Sequence, residues 1–141
     1  MYKNNVAEKD AAVILAVAVS ATAAAADLAT SASALLNKSP IAIYGSNESA
    51  ANGTLDATEE GAKLGDIVAV GFDAGIRQKT AVIAGYFLGS ITQDPYNIGY
   101  QAVELAYKAY KGEAVADVDT GCKFYTDANI GDADIKDLVY D

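Results

Sequence analysis

Hydrophobic and polar positions segregate into blocks along this chain. Short apolar runs recur within 12–20 (VILAVAV), 41–46 (IAIYGS), 67–72 (IVAVGF) and 87–93 (FLGSITQ). Continuous apolar runs of this kind, rich in β-branched residues, suit strands buried on both faces. Between them, apolar residues return every third or fourth position, the period of a helix with one buried face. Leu28, Ala32, Leu35 and Leu36 share a face of a helix from about Thr22 to Lys38, which Pro40 ends. Ala51, Leu55, Ala62 and Leu64 mark the inward side of a helix over 48–65, stopped by Gly65. Ile76, Thr80 and Ile83 do the same over 75–85. Over 94–112 the inward face is Ile98, Ala102, Leu105 and Ala109, with Asp94 as N-cap, Pro95 at the first helical position and Gly112 as the stop.

Strands alternating with helices of this length predict βαβ units and a parallel sheet covered by helices. VDTGCKFYT (118–126) predicts one more strand, and the acidic segment after it predicts loops and a short helix. The expected fold is α/β, a three-layer sandwich with a mainly parallel sheet of about four to five strands. The expected organisation is one domain over 1–141, with 1–11 as an N-terminal extension and 118–141 as a closing strand and acidic tail.

The opening block, AAVILAVAVSATAAAADLATSASALL (11–36), allows two readings. An apolar run ending near Ala21-Thr22-Ala23 fits the core and cleavage site of a secretion signal. The start is poorly basic, however, because Lys3 and Lys9 are balanced by Glu8 and Asp10. The β-branched residues also crowd the first half while alanine fills the second, which suits a strand followed by a helix. The latter reading agrees with the alternation downstream.

Composition narrows the chemistry. With 141 residues, 52% of them hydrophobic, the chain can build a real core. A net charge of -9 opposes nucleic-acid and anionic-membrane binding. The chain has no histidine and one cysteine, Cys122, which excludes Cys/His zinc sites, an internal disulfide, and Ser-His or Cys-His catalysis. No cofactor motif follows a strand, so no cofactor and no enzymatic activity are expected. DANIGDAD (127–134) is only a partial likeness to a calcium loop, and no metal is expected there.

In open parallel sheets, ligands bind beyond the carboxyl ends of the strands. Asn47, Asp73 and Gln93 follow or end three successive predicted strands. A carboxylate accepts from hydroxyls, and amides both donate and accept. Each of these residues could also serve as a turn or cap residue, as Asp94 does.

The segments IAIYGSNESAANGTLDA, IVAVGFDAG and GSITQDPYNIGYQAVELAYKAYKGE resemble the C-terminal lobe of periplasmic sugar-binding proteins of the ribose/galactose type. DLATSASALLNKSP and the tail DTGCKFYTDANIGDADIKDLVYD are similar to further segments of that lobe. The resemblance implies a periplasmic-binding-protein-like I lobe and hydroxyl contacts from Asn47 and Asp73, with Gln93 near the rim and hinge. It implies a monosaccharide ligand of the ribose, galactose or xylose class, a membrane permease partner, and an extracytoplasmic location, although no convincing signal peptide is present in the chain. Family members carry two lobes. Here only the C-terminal one is matched, without its first strand-helix pair.

Three readings therefore stand: a carbohydrate-binding lobe of an ABC-type sugar import system, weak or partner-dependent alone; the effector-binding core of a lactose-repressor-like regulator; or a dimerising structural domain that has lost its ligand. A flavodoxin- or response-regulator-like domain is disfavoured because the first strand ends in Ser20-Ala21-Thr22 rather than acids. A missing central strand must be repaired, since unpaired buried edges are costly. Either 12–20 pairs directly with 41–45 or two chains exchange segments and dimerise. The favoured repair is the direct pairing in a 1-2-3-4 parallel order, with a homodimer covering the apolar edge or the missing N-terminal lobe as partner.

Overall fold

The structure is a computed structural model that describes residues 15–18, 25–38 and 40–140. Its elements are β1 (Leu15–Ala18), α1 (Ala25–Leu36), β2 (Ala42–Gly45), α2 (Glu48–Glu60), β3 (Val68–Phe72), α3 (Ile76–Ile83), β4 (Gly89–Gln93), α4 (Pro95–Tyr110) and β5 (Cys122–Tyr125). They form the expected α/β fold around one sheet of order β1-β2-β3-β4-β5. The first four strands are parallel and β5 runs antiparallel to β4. β1 pairs directly with β2, Leu15 opposite Ala42, which is the repair expected from the cost of an unpaired edge. Of the opening block, the described parts are a strand and a helix. The expected helix start at Thr22, the cleavage-like site at 21–23 and the extension 1–11 lie outside the described residues.

Right-handed crossovers between neighbouring parallel strands carry their helices to the same side of the sheet. Accordingly α1 packs on α2, and α2 on α3. Leu28, Ala32 and Leu36 of α1 are buried, as the helical period predicted. Ala32 and Leu36, with Ala51, Ala57, Ala81 and Val82, cluster with Ile43 and Ala69 of the sheet, and Phe87 joins the same cluster. Each large side chain so buried stabilises the fold by about 1.5–3 kcal/mol. Alanine dominates the helix contacts, so the helices lie close. A Cβ on Gly53 of α2 would come within 2.8 Å of the Leu28 Cβ.

Four local expectations are corrected. α2 ends at Glu60 rather than Gly65, because Gly61 caps it and Ala62 turns left-handed (φ 51°). Leu64 therefore lies outside the helix. α3 buries Gln78, Ala81 and Val82, while Ile76 and Ile83 are exposed. The Gln78 Nε2 group turns that face inward by donating to the Glu48 carbonyl at 3.2 Å and to Asn52 Oδ1 at 2.8 Å. α4 starts as expected, with Asp94 Oδ1 accepting from the Asn97 amide at 2.9 Å and Pro95 in its first turn. Its expected inward face meets no core, however: no residue of α4 is buried. The acidic tail forms consecutive turns rather than a helix, and its Ile135 enters the core.

Candidate functional site

The carboxyl ends of β2 and β3 are built to bring two polar side chains together. β2 ends at Gly45, where a Cβ would lie 2.5 Å from the backbone of Ala51. Only glycine lets α2 begin so close to the strand. Asn47 is the extended N-cap of α2, and its Oδ1 accepts from the Ala50 amide at 2.8 Å. The cap uses the oxygen of the amide and leaves the two N–H donors of Nδ2 uninvolved in it.

β3 is followed by Asp73, whose backbone is left-handed (φ 72°). Asp tolerates that region better than most residues. The turn is held from three sides. The Asp73 amide donates to the Ile91 carbonyl at 2.6 Å. Its carbonyl accepts from Ser90 Oγ at 2.8 Å and from Tyr125 Oη at 3.1 Å. One residue on, the Ala74 carbonyl accepts from the Tyr140 amide at 3.2 Å. So fixed, Asp73 points Oδ2 at the first turn of α2, where it accepts from the Glu48 amide at 3.1 Å. The positive end of the helix favours the carboxylate there.

Three tyrosines feel the charge of this carboxylate. Burial pushes the Tyr125 phenol up to about 12, with smaller contributions from Tyr140, Asp73 and Glu48 and a partial offset from the hydrogen bond with Ser90. Tyr44 is raised by burial first and then by the Asp73 charge. Tyr140 is raised by burial and then by Asp73 and Glu48. All three therefore remain neutral at physiological pH.

The structure thus links Asn47 and Asp73 through the first turn of α2. Gln93 ends β4 on the same rim, exposed and opposite Cys122 of β5, and no hydrogen bond joins it to the other two. Asp94 is a helix cap. The grooves elsewhere hold none of the three. One of about 240 Å³ lies between α2 and α3, beside Leu55, Leu64, Ile76 and Tyr86. Another of about 250 Å³ lies beside Asp94, Cys122, Lys123 and Asp134. In the calcium-like loop, Asp134 is engaged by Lys123 at 3.0 Å, which holds its carboxyl below the usual range. Among the described residues there is no cluster of acids, cysteines or histidines that could hold a metal.

Sequence reasoning missed Ser90, Tyr125, Tyr140 and Tyr44. Ser90 left a trace as a hydroxyl inside an otherwise apolar run. The tyrosines left none: Tyr125 bonds to the Asp73 carbonyl and Tyr140 to the Ala74 carbonyl from segments far along the chain.

The carboxyl rim of the parallel sheet thus carries an acceptor carboxylate and an amide whose donors the helix cap does not use, groups able to bond hydroxyls. The family model described as Periplasmic binding protein domain matches residues 4–114. The chain belongs to that family. Family members are sugar-binding solute-binding proteins, not enzymes. This periplasmic binding protein domain is 38% identical over 74 residues to the ribose import binding protein of Salmonella typhimurium, across 52% of the chain and 25% of that relative. Among solved structures, it superposes on an Agrobacterium vitis ABC transporter solute binding protein with bound D-fucose, with a TM-score of 0.77, 28% identity, and coverage of 82% of this chain and 41% of that one. It is 46% identical, with a TM-score of 0.71, to a Brachyspira murdochii protein titled ABC transporter, LacI family transcriptional regulator, over 84% of this chain and 41% of that one. A third, the Agrobacterium radiobacter carbohydrate transporter solute binding protein in complex with D-arabinose, gives a TM-score of 0.67 and 33% identity, over 82% of this chain and 38% of that one. The match thus spans a quarter of the length of the curated relatives and about two fifths of the solved ones.

Proposed function

We propose that this chain supplies the sugar-contacting rim of one lobe in an ABC-type carbohydrate import system, acting outside the cytoplasmic membrane alongside a permease. The observation that carries this is the Asn47–Asp73 pairing at the start of α2. Both side chains bond to the first turn of α2, which brings an amide and a charged acceptor to one helix start, groups suited to sugar hydroxyls. Gln93 stands farther along the rim as a third contact. The ligand class is a monosaccharide such as ribose, galactose or xylose, in keeping with relatives that carry D-fucose and D-arabinose.

Tight small-molecule sites enclose most of the ligand. An open rim encloses little, so affinity for sugar is low until a complementary lobe or a second copy covers it. The test is calorimetric titration with ribose, galactose, glucose and xylose, using Asp73→Ala as control. Saturable heat that disappears in the variant supports the proposal. A folded chain giving no heat with any sugar overturns it for the chain alone and leaves the reading of a structural domain without ligand.

The Brachyspira murdochii similarity favours one second reading, the effector-binding core of a regulator. Sugar binding at the rim is common to both readings. Dependence of sugar uptake on this chain in cells separates them.

A further inference from the structure

Among the helices of the described residues, α4 alone buries nothing. It nevertheless carries two apolar stripes. Tyr96, Tyr100, Val103, Tyr107 and Tyr110 follow at spacings of four, three, four and three. At about 100° per residue they fall within a band roughly 80° wide. Ile98, Ala102, Leu105 and Ala109 lie about half a turn away, on the opposite side. The second stripe is the ordinary amphipathic face. The first is a tyrosine seam with the spacing of the a and d positions of a coiled coil.

The seam lies open. Its residues are 81%, 59%, 72%, 60% and 84% exposed, in chain order. Aromatic side chains bury about 150–250 Å² each, so the four tyrosines alone offer on the order of 400–700 Å². Val103 adds to this, bringing the seam close to the roughly 800 Å² per partner of a stable interface. It stands at the upper end of the largest apolar patch of an ordinary monomer, about 300–600 Å². The flanks suit close approach by another helix. Gly99 and Ala106 border one side, and a Cβ on Gly99 would meet nothing within 4 Å. Asn97, Glu104 and Lys111 border the other.

We infer that two copies of this chain associate through the seam of α4, tyrosine stripe against tyrosine stripe. A two-fold dimer needs one patch that complements itself, and a heptad seam does so. Charge points the same way. The chain is strongly acidic, at -9 overall. Residues 95–111 hold one acid, Glu104, and two bases, Lys108 and Lys111. Repulsion between two acidic copies is therefore least where α4 meets α4. The opposite stripe remains free for a different partner. This inference is independent of the sugar reading.

The test is sedimentation velocity of the full chain from about 1 to 200 µM, with reductant present so that exposed Cys122 forms no cross-link. The expected result is a mass rising with concentration toward twice 14.5 kDa. The double variant Tyr100→Glu/Tyr107→Glu stays at single-chain mass with an unchanged circular dichroism spectrum, because α4 supports no core of its own chain. The control Ile98→Glu/Leu105→Glu still dimerises. Single-chain mass at every concentration overturns the inference. So does a dimer that survives the tyrosine changes, or one lost only through the opposite stripe.

Discussion

The carboxylate of Asp73 caps a helix that begins 25 positions before it, with Oδ2 accepting the Glu48 amide at 3.1 Å. The same group is proposed to receive a sugar hydroxyl, so its two duties need separating. Asp73→Gly relieves the left-handed backbone and loses the cap. These effects are opposite in sign and each on the order of 1 kcal/mol. Thermal unfolding should therefore stay close to that of the unaltered chain, while calorimetric heat with sugar vanishes. Asp73→Asn keeps an acceptor and the left-handed turn. It should fold normally and bind roughly 10- to 100-fold more weakly, the cost of replacing a charged acceptor by a neutral one.

Asn47 permits a parallel separation. Asn47→Ser preserves the cap on Ala50 and removes the amide donors, so stability should change by only a few tenths of a kcal/mol. Asn47→Ala removes both, and should lower stability by about 1 kcal/mol. Both variants should lose sugar heat. Undiminished binding in Asn47→Ser, measured by the same titration, would show that Asn47 is a cap and nothing more.

The Tyr125 phenol supplies a pH signature. Its folded value of about 12 lies above its ordinary value of 10.0, so the folded state holds the proton more tightly. The associated stability is complete below pH 10 and drains away as pH rises toward 12. Urea unfolding at stepped alkaline pH should reveal this loss. Tyr125→Phe should lose about 1 kcal/mol at neutral pH, for the missing bond to the Asp73 carbonyl, and should flatten that alkaline component.

Gly45→Ala tests the contact that sets α2 against β2. The added methyl would lie 2.5 Å from the Ala51 backbone, which has no flexible end to yield. Overpacking of this kind costs about 1–3 kcal/mol. The melting temperature should fall by several degrees, and because Asn47 starts the displaced helix, sugar affinity should fall with it.

Strand positions and order were legible because short apolar runs leave few other options, and the cost of an unpaired buried edge selected the direct β1–β2 pairing. α1 was legible because Leu28, Ala32 and Leu36 have no competing face. α3 was not. Over eight residues, Ile76 and Ile83 outweighed Gln78 on hydrophobicity, and only the amide's two bonds to α2 reverse that order. For α4 the period correctly gave a helix and an apolar face but carried no information on whether this chain supplies the covering. Asn47 and Asp73 were legible as strand-end polar residues. Their support was not, since Tyr125 reaches the Asp73 backbone across 52 positions.

That last separation has a temporal side. On a ribosome adding about 5–20 residues per second, Asp73 emerges several seconds before Tyr125, and Tyr140 follows later still. The parallel strands meanwhile pair with neighbours already made, so the sheet through β4 can assemble as it is synthesised. The clamp on Asp73 has to wait. Maturation of the rim is thus a late event, timed by translation of residues 125–140, and a chain ending at about residue 115 would keep its four parallel strands but lack the tyrosine clamp on the turn after β3.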